Sequence, residues 1–210
     1  MLMDNKEHIL DIAKEKGYVT SELIKEQGIP SWFLTDMVNR GMLIRIARGI
    51  YITEQGVEDE YFIFQYRNKK AIYSYLNALY LHGLTDRIPS RLEVTVYQGY
   101  NTHRFDKSVI VHYVKKDNYE LGITNTKSLY GNLIAVYDKE RTLCDLVISK
   151  QIVESEVFKK AFQSYFKRDD KDIDKLISLK PLEWRILFDQ FLNVYIFRNV
   201  MFHLAVFCLS

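Results

Sequence analysis

Glu93, Asp138, Glu140 and Asp145 are the acidic residues nearest to strand-like ends in this sequence, and metal-dependent nucleases gather carboxylates from such places. Their spacing favours a plainer role. Asp138 heads the helical stretch KERTLCDLV, where a carboxylate accepts from the free N–H groups of the first turn and is stabilised by the helix dipole. Glu140 and Asp145 lie five positions apart and do not share a helical face. His82, in LYLHGL, has no serine, cysteine or acid at a recognisable catalytic spacing; it is expected to end a helix and bond a backbone carbonyl. Cys144 falls within an apolar helical stripe and reads as inert core. Neither a Walker loop nor a dinucleotide fingerprint occurs, and Gly83, Gly99, Gly122 and Gly131 are scattered turn residues. No catalytic residue, metal ligand or cofactor is therefore expected.

The guanidinium groups suggest a different chemistry. The stretch RGMLIRIARGIYIT brings Arg40, Arg45 and Arg48 close together in sequence, with alternating apolar positions on either side of an Arg-Gly pair. That pattern predicts two short strands joined by a tight turn, with Arg48 at the tip. Arginine forks suit phosphate oxygens. A formal net charge of +2 is too small to coat the whole surface, so any nucleic-acid contact must come from such a local patch. A second set, Arg87, Arg91, His103, Arg104 and Lys107, lies in the loop segments TDRIPSRLEV and GYNTHRFDK. It reads either as another basic surface or as ordinary solvated charge.

The elements that precede the Arg-Gly turn give it meaning. Ile9, Ile12, Ala13 and Lys16 mark one side of a helix over 5–16, which Gly17 stops. Thr20 is placed to cap a second helix ending at Gly28, and Pro30 opens a third whose buried stripe is Phe33, Leu34, Met37 and Val38. Three helices followed by a hairpin is the order of a winged helix-turn-helix, in which the last helix enters the major groove and the hairpin lies on the backbone or minor groove. Arg45 and Arg48 would then meet phosphates or a narrow minor groove. Ser31, Trp32, Thr35, Asp36 and Asn39 fall on the outward side of the third helix, where Thr35 and Asn39 are suited to base edges or phosphates. Asp36 can instead orient Arg40 four positions on. The competing reading is a solvated turn on a protein-docking module without DNA affinity.

Beyond residue 56 the pattern predicts a helix over 59–68, a short strand over 71–73, a helix capped by Ser74, and strands in RLEVTVYQ, VIVHYV, GITNTKSL and NLIAVYD. Helices over 139–149 and 155–167 follow. The class is α+β: an N-terminal winged helix-turn-helix, then a mixed domain with a mainly antiparallel sheet and flanking helices. Hydrophobic residues at 48% and charged residues at 27% describe a folded chain. Two distant cysteines, Cys144 and Cys208, fit neither a disulfide framework nor a structural zinc site, and the N-terminus lacks a secretory pattern, so a reduced cytoplasmic setting is expected.

Four segments in order, RGMLIRIARGIYI, AIYSYLNALYLHGLTDRIP, VTVYQGYNT and VYDKERTLCDLV, resemble the AbiEi-type antitoxins of type IV toxin–antitoxin systems, which are also phage-defence regulators. The resemblance covers residues 18–178. It implies a winged helix that represses its own operon at inverted repeats, and a C-terminal domain that opposes a nucleotidyltransferase-like toxin without a stable complex. It also places Arg45 and Arg48 on wing positions associated with operator contact, and Thr35 and Asn39 on the recognition helix. The sequence departs from the family pattern at Asp36, near which a basic residue is common, and again after Leu179, where relatives end in a short charged helix.

The resulting organisation is a DNA-binding domain over 1–55, an antitoxin domain over 56–179, and an apolar tail over 180–210. Within the tail, Phe191 to Leu209 approaches the length of a bilayer span but is interrupted by Asn193, Arg198, Asn199 and His203, so no membrane partner is expected. A metal-dependent nuclease of a defence system is the alternative from another class.

Overall fold

A computed structural model of the protein describes residues 2–148 and 155–179. The chain is mixed α+β and divides into two compact units, one made of Met1–Ala71 with Asn125–Ala135 and the other of Ile72–Thr124 with the chain from Val136 onward.

The first unit opens with α1 (Leu2–Lys16), followed by β1 (Val19–Thr20), α2 (Ser21–Glu26) and α3 (Trp32–Asn39). α1 turns Ile9, Ile12 and Ala13 inward at helical spacing and leaves Lys14 and Lys16 exposed in its last turn, where cations complement the helix dipole. Gly17 takes φ +79°, a left-handed conformation that ends the helix at no steric cost. Thr20 caps α2 as expected, its Oγ1 accepting from the Leu23 N–H at 3.1 Å. α3 buries Phe33, Leu34 and Met37 against Ile9, Val19, Ile24 and Leu43, each such side chain contributing about 1.5–3 kcal/mol of burial.

Two further strands, β2 (Ile44–Ala47) and β3 (Ile50–Ile52), form a hairpin, and β1 joins it to give a three-stranded sheet in the order β1-β3-β2. Val19 pairs with Tyr51 and Arg45 with Tyr51 across antiparallel ladders, with a bulge between Arg45 and Ala47. At two residues, β1 is too short to show periodicity. α4 (Glu60–Arg67) follows in the same unit; it is capped by Asp59, which accepts from the Phe62 N–H at 3.1 Å.

The later elements are β4 (Ile72–Tyr73), α5 (Tyr75–Leu81), β5 (Glu93–Tyr97), β6 (Ile110–Val114), α6 (Lys116–Tyr119), β7 (Ile123–Lys127), β8 (Leu133–Tyr137), α7 (Lys139–Ile148), α8 (Ser155–Phe166) and α9 (Ile173–Ser178). Their strands form a sheet in the order β6-β5-β4-β8-β7. This sheet is mixed, which corrects the expectation of a mainly antiparallel one. β4 runs antiparallel to β5, but β5 is parallel to β6 from Glu93↔Ile110 to Tyr97↔Val114, and Tyr73 pairs with Val136 in parallel. Alternation reports which face a side chain takes and carries no strand direction. Here the 98–109 connector doubles back without a helix. Gly99 at φ +90° turns it, Tyr100 packs edge-on to Tyr97 at 5.5 Å, and Thr102 Oγ1 lies 2.7 Å from the Tyr113 hydroxyl.

The core of the second unit joins Tyr75, Leu79 and Leu84 to Leu143, Leu146, Phe162, Tyr165 and Leu176. Asp138 caps α7, accepting from the Arg141 N–H at 2.7 Å. Ser74 does not cap α5 with its side chain. Its Oγ accepts instead from Thr95 at 2.9 Å, and Glu93 Oε2, arriving from β5, takes the Leu76 N–H at 3.1 Å. The apolar tail over 180–210 lies outside the described residues.

Candidate nucleic-acid interface

The inward stripe of α3 dictates its outward face. With Phe33, Leu34 and Met37 buried, Ser31, Trp32, Thr35, Asn39 and Arg40 are left exposed. Trp32 is 51% exposed, its ring stacked on Phe33 at 3.9 Å. Asp36 shares this helix and is not a free acid. Lys6 of α1 donates to its Oδ2 and Arg40 Nε to its Oδ1 at 2.9 Å, and these hydrogen bonds, that of Lys6 first, hold the carboxyl below its ordinary range. One carboxylate between an ammonium and a guanidinium leaves the trio with a net positive charge.

On the hairpin, Arg45 and Arg48 are both exposed. Arg45 Nε reaches the Ala47 carbonyl at 3.4 Å, a long contact that still leaves most of its donors open. Arg48 occupies the turn and makes no hydrogen bond or ion pair among the described residues. The turn itself is anchored: Gly49 takes φ +80°, and its carbonyl accepts from the Ser21 N–H at 2.9 Å, tying the hairpin to the start of α2. Arg48 is thus an exposed side chain on a hydrogen-bonded turn. The structure places Trp32, Thr35 and Asn39 on α3, Ser31 and Arg40 at its two ends, and Arg45 and Arg48 on the hairpin of the same unit.

The second basic set is exposed throughout, at Arg87, Arg91, His103, Arg104 and Lys107, but it is not one cluster in the chain. Arg91 and Lys107 flank the paired starts of β5 and β6, where the Ile110 N–H donates to Leu92 O at 2.8 Å. His103 and Arg104 sit midway along the connector, with the His103 N–H bonded to Asn101 Oδ1 at 3.0 Å. Arg87 lies in the segment after α5, its N–H donating to Thr85 Oγ1 at 3.2 Å.

Each carboxylate considered for metal chemistry is engaged elsewhere. Glu93 lies 2.8 Å from His112 Nε2 in addition to binding the Leu76 N–H. Asp138 pairs with Lys175 at 2.8 Å, Glu140 accepts from the Tyr165 hydroxyl at 2.7 Å, and Asp145 pairs with Arg141 at 2.9 Å. Among the described residues no three or more His, Cys, Asp or Glu side chains are grouped to hold a metal ion. His82 ends α5, its Nε2 2.7 Å from Tyr137 O, and burial pushes its pKa down. Burial drives the Cys144 thiol up to about 12. The Lys6–Asp36 contact was not legible in the sequence. Its partners are thirty residues apart, and only the crossing of α1 with α3 joins them.

No family model and no curated protein matches this chain. Among the described residues no helix is long and apolar enough to cross a membrane.

Proposed function

We propose that the chain is a DNA-binding autorepressor and antitoxin of the AbiEi type, with a winged helix over 1–55 and the toxin-opposing activity in 56–179. In this reading α3 enters the major groove of an operator built on inverted repeats, while the hairpin lies along the backbone. The observation that carries it is Arg48: an exposed guanidinium without a partner among the described residues, at the tip of a turn that the Ser21–Gly49 hydrogen bond ties to the start of α2. Arg45, Thr35, Asn39 and Arg40 add exposed donors on the same unit. Counterion release by such groups supplies affinity, and base-edge contacts from the helix supply sequence preference.

The antitoxin half rests on the resemblance over 18–178. It assigns the partner as a nucleotidyltransferase-like toxin met without a stable complex, and gives this cytoplasmic chain no catalytic step of its own. The test uses the full chain and the DNA upstream of its gene. Saturable binding that outcompetes unrelated duplex supports the repressor. Rescue of cells expressing the neighbouring toxin, retained by an Arg48→Ala variant that no longer represses, supports the division of labour. Failure to bind the upstream fragment even in dilute salt overturns the repressor assignment.

A further inference from the structure

A cavity of about 440 Å3 opens in the first unit, between the end of α1, the hairpin, the 53–57 segment and α4. That volume lies in the range of sites for small organic ligands. Ile46, Ile50 and Ile52 from the hairpin and Phe62 and Ile63 from α4 supply an apolar wall. The polar groups around it are unequal in what they have left to offer. Asp59 is 3% exposed and already accepts from the Phe62 N–H, from Asn132 Nδ2 at 2.7 Å and from the Ser128 hydroxyl. Lys14 and Lys16 also line the cavity and make no hydrogen bond or ion pair among the described residues. The half-buried Tyr18 ring packs on Phe62 at 4.1 Å, and its hydroxyl has no hydrogen-bond partner among the described residues. Burial, then the charge of Asp59, pushes that phenol's pKa up, so it remains a donor at neutral pH.

An apolar wall beside two unpaired ammonium groups and a phenol, with three of the lone-pair sites of Asp59 already engaged, favours one chemistry. We infer that this cavity is a binding site for a small organic anion, an aromatic or branched apolar body carrying a carboxylate, with Lys14, Lys16 and Tyr18 receiving the charge. A neutral analogue of the same shape keeps the apolar contacts and forfeits the charge-assisted bonds. A cation meets the two ammonium groups of Lys14 and Lys16, which outnumber the single buried carboxylate of Asp59. The inference stands apart from DNA binding, since none of its groups is Arg45, Arg48 or an outward residue of α3.

The experiment titrates the full chain with salicylate and, in parallel, with salicylamide, by calorimetry and by amide chemical shifts. Saturable one-to-one binding of salicylate is expected, with shifts concentrated at Gly17, Gly56 and Ile63 and weaker binding of the amide. The exposed double variant Lys14→Ala/Lys16→Ala should weaken salicylate about tenfold and leave salicylamide unchanged. Ile63→Trp, which fills the cavity, should abolish both. Should Ile63→Trp fail to fold, Ile63→Phe gives the same readout in part. Equal affinity for the two probes, shifts dispersed over the surface, insensitivity to the lysine variant, or no saturable binding of salicylate each overturns the inference.

Discussion

Gln65 and Ala135, seventy positions apart, exchange two hydrogen bonds: Gln65 Nε2 donates to Ala135 O at 2.8 Å, and the Ala135 N–H donates to Gln65 Oε1 at 2.6 Å. The same Nε2 also donates to Ala71 O at 2.8 Å. A primary amide presents one donor group and one acceptor in a plane, as a backbone peptide does. β4 has only two residues, and Gln65 extends the polar pairing past its start.

Removing that amide leaves three backbone groups to find other partners. Gln65→Ala should cost about 2–3 kcal/mol, since each unsatisfied group carries a desolvation penalty. Gln65→Glu should be nearly as costly at neutral pH, because a carboxylate cannot donate to either carbonyl, and should recover in part on acidification. Urea denaturation of the three proteins checks both statements.

Arg48 faces a different environment and should behave differently. Arg48→Ala should leave the urea midpoint unchanged while lowering affinity for the upstream DNA fragment. The slope of log K against log salt should flatten by about one, as loss of one phosphate contact requires. An unchanged slope places the guanidinium off the phosphate backbone.

Asp36 provides a test of opposite sign. Asp36→Asn frees Lys6 and Arg40 from their shared carboxylate and raises the local charge, so DNA binding should tighten several-fold at low salt. Thermal stability should fall slightly, because an exposed pair contributes little. Weaker binding in this variant would mean that Asp36 aims Arg40 at its contact.

The pH dependence should carry a signature of His82. Burial depresses its pKa in the fold below the ordinary 6.5. As pH falls through about 6.5 the unfolded chain binds the proton first, so stability present above that pH is lost on acidification. His82→Gln keeps a donor for Tyr137 O and has no such titration. The drop in urea midpoint between about pH 7.5 and pH 5.5 should therefore be smaller in the variant.

Two glycines separate strain from collision. A Cβ at Gly83, φ +64°, meets nothing within 4 Å, so Gly83→Ala should cost only the left-handed strain, about 1–2 kcal/mol. At Gly122, φ +77°, the added carbon would stand 2.6 Å from Arg141 Cβ and 3.1 Å from Asp138 Oδ2. Gly122→Ala should cost clearly more, because the Cβ of a buried residue cannot swing aside. Equal midpoints for the two variants would show that the 122 turn repacks freely.

Local chemistry made part of this legible from residues alone. Thr20 and Asp138 cap the helices that follow them because a cap reaches a donor within three residues. The Asp36–Arg40 pair follows from helical spacing. Ser74 had the right type and the wrong neighbours: Thr95 and Glu93, both on β5, decided which oxygen serves the start of α5. β1 and α6 were too short to show a period, and the parallel pairing of β5 with β6 depends on how the 98–109 connector folds back.

The amino-acid sequence by itself determined where α1 stops and where α2 and α7 begin, which side chains line the inner face of α3, and that a guanidinium stands at the tip of the Arg48-Gly49 turn. These follow from interactions that span a turn of helix or a pair of strand residues. Only the tertiary structure decided that Lys6 pairs with Asp36, that Glu93 serves α5 and His112, and that Asp59 accepts three hydrogen bonds while Lys14 and Lys16 make none among the described residues. Those outcomes depend on which distant segments the packed core brings within 3 Å or so, a distance over which a hydrogen bond either forms or does not.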